Sequence, residues 1–133
     1  MADQGLQLEI ATPKELAVSQ EVSAVIVPGA EGEFGVLPNH TPFLTPIRPG
    51  RLAYDSGGGR EELAVGWGYA EVRPNKVLIL TEFAEKRSDI DAEKVKAEIS
   101  ELSSKLQDAD LSTEETEAIR KQLERLKARL KLF

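Results

Sequence analysis

Residues 73–95 read RPNKVLILTEFAEKRSDIDAEKV, and the apolar pattern of the chain changes within this stretch. Before Glu85, short apolar runs alternate with turns, whereas after it apolar residues recur at helical spacing. All ten glycines and all seven prolines precede Glu85. The sequence therefore predicts two domains, an all-β domain over residues 1–84 and a helical segment over residues 85–133.

Runs of strand-forming residues fill the first domain. Leu6, Leu8 and Ile10 alternate with polar residues, which is the period of a half-buried strand. Turn sequences such as SGGG at residues 56–59 separate the runs. We predict strands at 6–10, 21–27, 34–37, 43–47, 51–54, 62–65, 69–72 and 77–80. A series of short strands at regular spacing favours a β-sandwich or a barrel, and we expect a β-sandwich.

The second domain shows two narrow apolar stripes. The first is formed by Val95, Ile99, Leu102 and Leu106, and the second by Ile119, Leu123, Leu126, Leu130 and Phe133. Asp89 or Asp91 can cap the first helix, and Ser112 with Glu115 forms a capping box for the second. The short link at 107–111 predicts an antiparallel α-helical hairpin. Such a hairpin buries one seam only, so we expect it to be marginal alone. It must pack on the β-domain, pack on a partner, or alternate between the two, and the last option would make it a switch.

Composition excludes several classes of function. The net charge of −6 argues against nucleic-acid binding, which depends on neutralising phosphates. The chain has no cysteine, so thiolate chemistry and Cys-based zinc sites cannot occur. We see no signal peptide, and no apolar stretch approaches the roughly 20 residues that span a bilayer. We therefore expect no direct membrane insertion.

No set of residues predicts catalysis or metal binding. His40 is the only histidine, and no nucleophile accompanies it, so a structural or interface role is favoured. The glycines at 29–35 and 57–59 lack the Gly-Lys-Ser/Thr sequence of a phosphate loop and are typical of turns. We predict no catalytic residue and no metal ligand.

The second helix carries six basic residues within twelve positions, namely Arg120, Lys121, Arg125, Lys127, Arg129 and Lys131. They could form a solvated face paired with the acidic first helix, through Asp89, Asp91, Glu93, Glu98 and Glu101, in weak exposed ion pairs. Alternatively, they could bind an acidic partner or the phosphates of a nucleotide. The sequence alone leaves both interpretations open.

Residues 28–42, PGAEGEFGVLPNHTP, closely resemble the signature of the epsilon subunit of F-type ATP synthases. Further support comes from TP at 12–13, RPGRL at 48–52, GWGYAEV at 66–72, AEK at 84–86 and DID at 89–91. The resemblance covers nearly the whole chain in the same order. It also includes the division into a sandwich and a hairpin.

This resemblance implies a non-catalytic rotor subunit that couples proton translocation to ATP synthesis. The sandwich would bind the gamma subunit and the c-subunit ring, with contacts at Glu33, Pro38, Asn39 and His40. The hairpin would extend along gamma into the hexamer of alpha and beta subunits and inhibit ATP hydrolysis. Its bases Arg120, Lys121, Arg125, Lys127 and Arg129 would meet acidic segments of the beta subunit, where complementary charge aids docking.

Some bacterial members of that family bind ATP through a motif of Ile or Leu, Asp, two variable residues, Arg and Ala. Residues 90–95 read IDAEKV, so Lys94 and Val95 stand in place of Arg and Ala, and lysine lacks the planar guanidinium fork. Glu101 stands where a base is expected. The resemblance thus implies a nucleotide site formed by Glu85, Ile90, Asp91, Lys94, Arg125 and Arg129, with ATP binding that is weak or absent and no other cofactor.

An alternative function is a small ATP-sensing regulatory protein whose hairpin closes over the nucleotide. The rotor interpretation instead implies a peripheral membrane protein. It would be held through the ATP synthase on the cytoplasmic side of a bacterial membrane, or on the equivalent side in an organelle.

Overall fold

A computed structural model describes residues 5–133, which form ten strands followed by two helices, and it confirms the predicted sandwich and hairpin. The strands are β1 (Leu6–Ala11), β2 (Leu16–Val22), β3 (Ala24–Gly29), β4 (Gly32–Val36), β5 (Phe43–Ile47), β6 (Gly50–Ser56), β7 (Gly59–Val65), β8 (Gly68–Arg73), β9 (Lys76–Thr81) and β10 (Ala84–Lys86). A 3-10 turn at Arg87–Asp89 leads to α1 (Ala92–Lys105) and α2 (Thr113–Leu130).

The strands form two layers that share one core. One layer has the order β10-β7-β6-β3-β4 and the other β5-β8-β9-β1-β2, and the pair Gly29–Ile47 joins β3 to β5. Neighbouring strands are antiparallel except β1 and β9, which are parallel. Aliphatic side chains of both layers, including Leu8, Leu52 and Ile79, are fully buried between them.

Two strands differ from the prediction. The predicted strand at 21–27 is wrong, because the chain bends at Ser23, whose amide donates to the carbonyl of Asp55 at 2.8 Å. The residues before the bend belong to β2, an edge strand in which Val18 and Val22 alone are buried, so its apolar periodicity is weak. Strand β10 has three residues and no apolar pattern. It pairs with β7 across the predicted domain boundary between residues 84 and 85.

Side-chain caps set the starts of both helices. Asp91, rather than Asp89, caps α1 and accepts hydrogen bonds from the amides of Glu93 and Lys94. Ser112 and Glu115 form the predicted capping box of α2, which satisfies two backbone donors that would otherwise lack partners.

The hairpin packs on the sandwich mainly through α2, which contacts β6 and β7, and α1 packs against α2. The seam between the helices includes Val95, Leu123 and Leu126, which are buried as the apolar stripes predict. Phe133 is half exposed, contrary to the predicted stripe, because α2 ends at Leu130 and the helical spacing stops there.

A second, smaller apolar cluster joins α2 to the outer face of the sandwich. Ala64 and Phe83 of the sandwich are buried there against Ala128 and Leu132, and Ile90 packs at the edge. We call this set the interface cluster. It is separate from the sandwich core, which contains no residue of either helix among those described.

A chain truncated after Ser88 is expected to fold as a stable sandwich, because β10 and the whole core are retained. The uncovered interface cluster should cost about 1.5–3 kcal/mol, the value for uncovering one buried Phe. Thermal unfolding followed by circular dichroism measures this. The absence of a cooperative transition in the truncated chain would show that the hairpin is part of the folding unit.

Candidate functional site

Glu85 of β10 binds two arginines of α2. The Nε of Arg129 donates to one carboxylate oxygen at 2.6 Å, and its Nη2 donates to the other at 2.8 Å. The Nη2 of Arg125 donates to the second oxygen at 3.3 Å. The two arginines lie four residues apart, so they share one face of the helix. We call Glu85, Arg125 and Arg129 the carboxylate clamp.

The clamp is an ionised cluster at neutral pH. Burial acts to raise the pKa of Glu85, but the hydrogen bonds and positive charges of Arg129 and Arg125 outweigh burial and hold that pKa below its ordinary value. The hydrogen bond to Glu85 in turn raises the pKa of Arg129. The clamp therefore adds a charged contact between the sandwich and the hairpin to the apolar contact of the interface cluster.

Two aromatic residues flank the clamp. The guanidinium of Arg125 lies over the ring of Phe83, 4.5 Å from its centroid, which is a cation–π geometry. The indole Nε1 of Trp67 donates to the carboxylate of Glu124 at 2.7 Å. Because Trp67 is the only tryptophan of the chain, its fluorescence reports on contact between α2 and the sandwich.

The ion pairs that α2 forms among the described residues join it to the sandwich, and Glu98 of the acidic first helix acts on Arg129 only through its charge at longer range. Besides the clamp, Lys121 lies 3.8 Å from a carboxylate oxygen of Glu82. Within residues 5–133 no ion pair joins α2 to the predicted partners Asp89, Asp91, Glu93, Glu98 and Glu101. The reason is that α1 and α2 meet along their apolar seam, while the arginine face of α2 turns to the sheet edge. Arg120 and Lys127 are exposed.

The structure brings together three of the six predicted nucleotide residues, namely those of the clamp. Asp91 is used as the cap of α1, and Ile90 packs at the edge of the interface cluster. Lys94 is exposed in the first turn of α1. No hydrogen bond or ion pair links these three residues to the clamp in the described part of the chain.

The predicted partner contacts on the sandwich lie at two places. Glu33 is exposed near the start of β4, and the turn at residues 38–40 follows the end of that strand. Asn39 has a φ of 67°, a left-handed conformation that asparagine tolerates, and its amide donates to the carbonyl of Pro74. The Nδ1 of His40 lies 2.8 Å from the carbonyl oxygen of Thr41. The hydrogen bond from Asn39 therefore joins this turn to the β8–β9 connection, whereas Glu33 lies at a different place, in β4.

An exposed apolar row crosses the outer face of the second layer, and the sequence reasoning missed it. Its members occupy paired positions on five neighbouring strands, so they point to the same side: Pro46, Tyr69, Leu80, Ala11 and Leu16. Tyr69, Leu80 and Leu16 are 50–57% exposed, and Leu44 beside them is 68% exposed. We call this set the outer row.

A signal for the outer row is present in β9. Residues 77–80 read VLIL, with no polar residue on either face. A strand at the surface of a two-layer sandwich should alternate apolar and polar residues. The lack of alternation indicates a second apolar face that another molecule could cover.

Comparison with known proteins identifies the family. The family model described as ATP synthase, Delta/Epsilon chain, beta-sandwich domain matches residues 5–87. The ATP synthase epsilon chain of Geotalea uraniireducens is 47% identical over 92 residues, which are 69% of this chain and 67% of that one. Epsilon chain 2 of Syntrophotalea carbinolica is 37% identical over 97% of this chain and 94% of its own length. The chain belongs to the ATP synthase epsilon family.

Solved structures agree with this assignment. A chain in the Euglena gracilis mitochondrial ATP synthase, in an assembly of OSCP, F1 and c-ring, superposes with a TM-score of 0.79 at 26% identity, over 95% of this chain and 79% of that chain. A chain of the Tetrahymena thermophila central stalk and c-ring superposes with a TM-score of 0.59 at 14% identity, which shows the fold alone.

The epsilon family accounts for the predicted fold and for the absence of catalysis from the predicted role. Epsilon subunits are non-catalytic parts of the rotary ATP synthase, and the predicted family is confirmed. The enzyme to which this epsilon subunit belongs is associated with a membrane. Among residues 5–133, neither helix is long and apolar enough to cross one.

The clamp should make closure of this epsilon hairpin sensitive to acid. Because the pKa of Glu85 is lowered in the closed state, its contribution is complete above the ordinary pKa of a Glu, about 4.3, and is lost as the pH falls through the lower closed-state pKa. The charged groups that lower it, Arg125 and Arg129, both lie on α2 and remain charged. Trp67 fluorescence should therefore report opening in acid, and Glu85→Gln should remove that part of the pH dependence. If Glu85→Gln left the pH dependence of the fluorescence unchanged, Glu85 would not be the group responsible for opening in acid.

Proposed function

We propose that this epsilon subunit couples rotation to proton-driven ATP synthesis and restrains ATP hydrolysis when its hairpin leaves the sandwich. The observation that carries the proposal is the separation of the interface cluster from the sandwich core. The hairpin can detach without opening the core, so the protein has two states available. The sandwich remains an intact rotor element in both.

The outer row supports docking of the sandwich on the gamma subunit. Apolar surface that crosses five strands is typical of an interaction site when it is contiguous. The row lies on the layer that α2 does not cover, so a partner there leaves the clamp free to open and close. We assign this face to gamma and the loops that hold Glu33 and residues 38–40 to the c ring.

The exposed bases of α2 support a contact with the catalytic hexamer. Arg120 and Lys127 have no carboxylate within 4.0 Å in the described residues, and Arg125 and Arg129 would be released when the clamp opens. A helix with this charge suits an acidic surface of a beta subunit, because complementary charge orients the encounter. Through these contacts the chain would sit on the cytoplasmic side of the membrane, or the equivalent side in an organelle.

The test uses an assembly of alpha, beta and gamma subunits that lacks epsilon. We would add either the full chain or the chain truncated after Ser88, and measure ATP hydrolysis and co-migration. The proposal expects both to bind and only the full chain to slow hydrolysis. Equal hydrolysis rates with both would contradict the inhibitory role of the hairpin.

The gamma surface is tested with Tyr69→Glu, which places a charge in the middle of the outer row. Ala97→Glu, an exposed apolar position on α1, is the matched control. The affinity of gamma should fall at least tenfold, about 1.4 kcal/mol, in the first variant and stay unchanged in the second. Equal affinities would place the gamma surface elsewhere.

Nucleotide sensing is a second candidate, favoured by the assembly of Glu85, Arg125 and Arg129 at one place. It expects ATP to raise the melting temperature of the isolated chain, through preferential binding to the folded state, and Arg125→Ala to abolish the rise. Because the remaining three predicted residues do not reach the clamp, we expect the rise to be small or absent. A large rise that Arg125→Ala removes would favour the sensor function.

A further inference from the structure

We propose that Arg125 and Arg129 form an oxyanion-binding site that the chain fills with its own Glu85 carboxylate, so that the hairpin closes without an external anion. This inference rests on the two-state hairpin of the proposed function. It names the group that occupies the site in the closed hairpin, and it states the direction in which external anions change the degree of closure. External oxyanions would compete with closure and would not promote it.

The geometry of Arg129 carries the argument. Its Nε and Nη2 both bind Glu85, one to each carboxylate oxygen, at 2.6 and 2.8 Å. This paired arrangement is the one by which arginine binds carboxylates and phosphates alike. The side chains are 22% and 25% exposed, so the contact is largely sheltered from solvent. An external oxyanion could therefore bind these two donors of Arg129 only by displacing Glu85.

Arg125 extends the same site. Its guanidinium binds the second oxygen of Glu85 and is held over Phe83, which restricts where it can point. Glu85 is the one carboxylate within 4.0 Å of either guanidinium among the described residues. The neighbouring carboxylates have other partners, because Glu82 pairs with Lys121 and Glu124 binds Trp67. Glu98 of α1 acts on Arg129 only through its charge at longer range, so Glu85 is the one carboxylate that both guanidinium groups bind directly.

Removing the charge of Glu85 should expose the site. Glu85→Gln keeps the size of the side chain and one oxygen acceptor but removes the one carboxylate that both guanidinium groups bind. Because these hydrogen bonds join charged groups, the ratio of closed to open hairpin should fall at least about tenfold, which corresponds to about 1.4 kcal/mol. An external oxyanion should then restore closure by taking the place of the carboxylate.

The experiment uses the full chain and inorganic triphosphate as the probe, with sodium chloride at matched ionic strength as the reference. Hairpin closure is read from Trp67 fluorescence and from hydrogen exchange of the α2 amides. Triphosphate is expected to restore closure in Glu85→Gln and to give no gain, or a loss, in the natural chain. Glu82→Gln is the matched control, since it removes a nearby carboxylate outside the clamp. It should show no comparable rescue.

Two results would overturn the proposal. One is a Glu85→Gln chain that stays as closed as the natural chain without added anion. The other is triphosphate that promotes closure equally in both chains, which would mean that Glu85 does not occupy the site. Thermal unfolding of the sandwich checks that each variant is folded. Inhibition of hydrolysis by the full chain is measured separately, so failure of the clamp proposal and failure of the regulatory function are distinguishable.

Discussion

Leu126→Ala is expected to destabilise the closed hairpin by about 2–5 kcal/mol, the usual cost of removing a buried leucine. Leu126 has no exposed surface and lies on α2, the helix that joins α1 to the sandwich. The loss should appear as faster hydrogen exchange throughout both helices and as a weaker helical signal in circular dichroism. The sandwich should keep its own unfolding transition, because Leu126 is not part of its core cluster.

Leu44→Ala is the control for this prediction, since it makes the same substitution at a position that is 68% exposed. It should change stability by less than about 0.5 kcal/mol. Equal destabilisation of the sandwich and the hairpin by Leu126→Ala would contradict the account, because it would show that the two parts unfold as one unit.

Breaking the clamp has the second largest expected effect. Arg129→Ala should weaken hairpin closure by about 1.5–3 kcal/mol, because it removes two charged hydrogen bonds in a partly buried setting. Glu85→Ala should cost a similar amount. The double variant should cost less than the sum, since both changes remove the same contact.

A double-mutant cycle on these residues measures the coupling directly, with closure read from Trp67 fluorescence. Lys121→Ala provides the comparison. It removes a longer contact with Glu82, 3.8 Å between exposed groups, which should contribute less than about 1 kcal/mol. Strictly additive effects of Arg129→Ala and Glu85→Ala would show that the clamp contributes nothing specific to closure.

Features that depend on local sequence were predictable. The change of apolar period after Glu85 reflects the geometry of strand and helix, and Ser112 with Glu115 forms a cap within one turn. The separation into sandwich and hairpin follows from these signals. The family resemblance at residues 28–42 added the role of the protein, which periodicity alone does not contain.

Features that depend on distant residues were not predictable from the pattern. Glu85 and Arg129 are separated by 44 positions, and only the family resemblance, which placed both in a nucleotide site, indicated that they lie close together. The direct pairing of the two side chains was not predicted. The acidic first helix was an equally plausible partner for the bases of α2 until the helix orientation was known. Strand β10 was missed for the same reason, because its strand conformation depends on pairing with β7 and its own residues show no apolar pattern.

The outer row could not be predicted from the sequence for a different reason. Each strand of the second layer contributes one or two apolar residues that are partly or largely exposed, and single exposed apolar residues are common in proteins. The register of five strands turns them into one continuous surface. The VLIL run in β9 carries a local signal, but its neighbours become known only with the sheet order.

The most direct test of the account locks the hairpin on the sandwich. Ala64 and Ala128 are both buried in the interface cluster, and the chain has no cysteine of its own, so Ala64→Cys with Ala128→Cys introduces one pair of cysteines to be joined by oxidation. The measurement is ATP hydrolysis by the assembled enzyme under oxidising and reducing conditions, with each single-cysteine variant as a control. We expect the oxidised enzyme to hydrolyse ATP as fast as enzyme carrying the chain truncated after Ser88, and reduction to restore inhibition. Full inhibition by the locked chain would contradict the claim that the hairpin acts by leaving the sandwich.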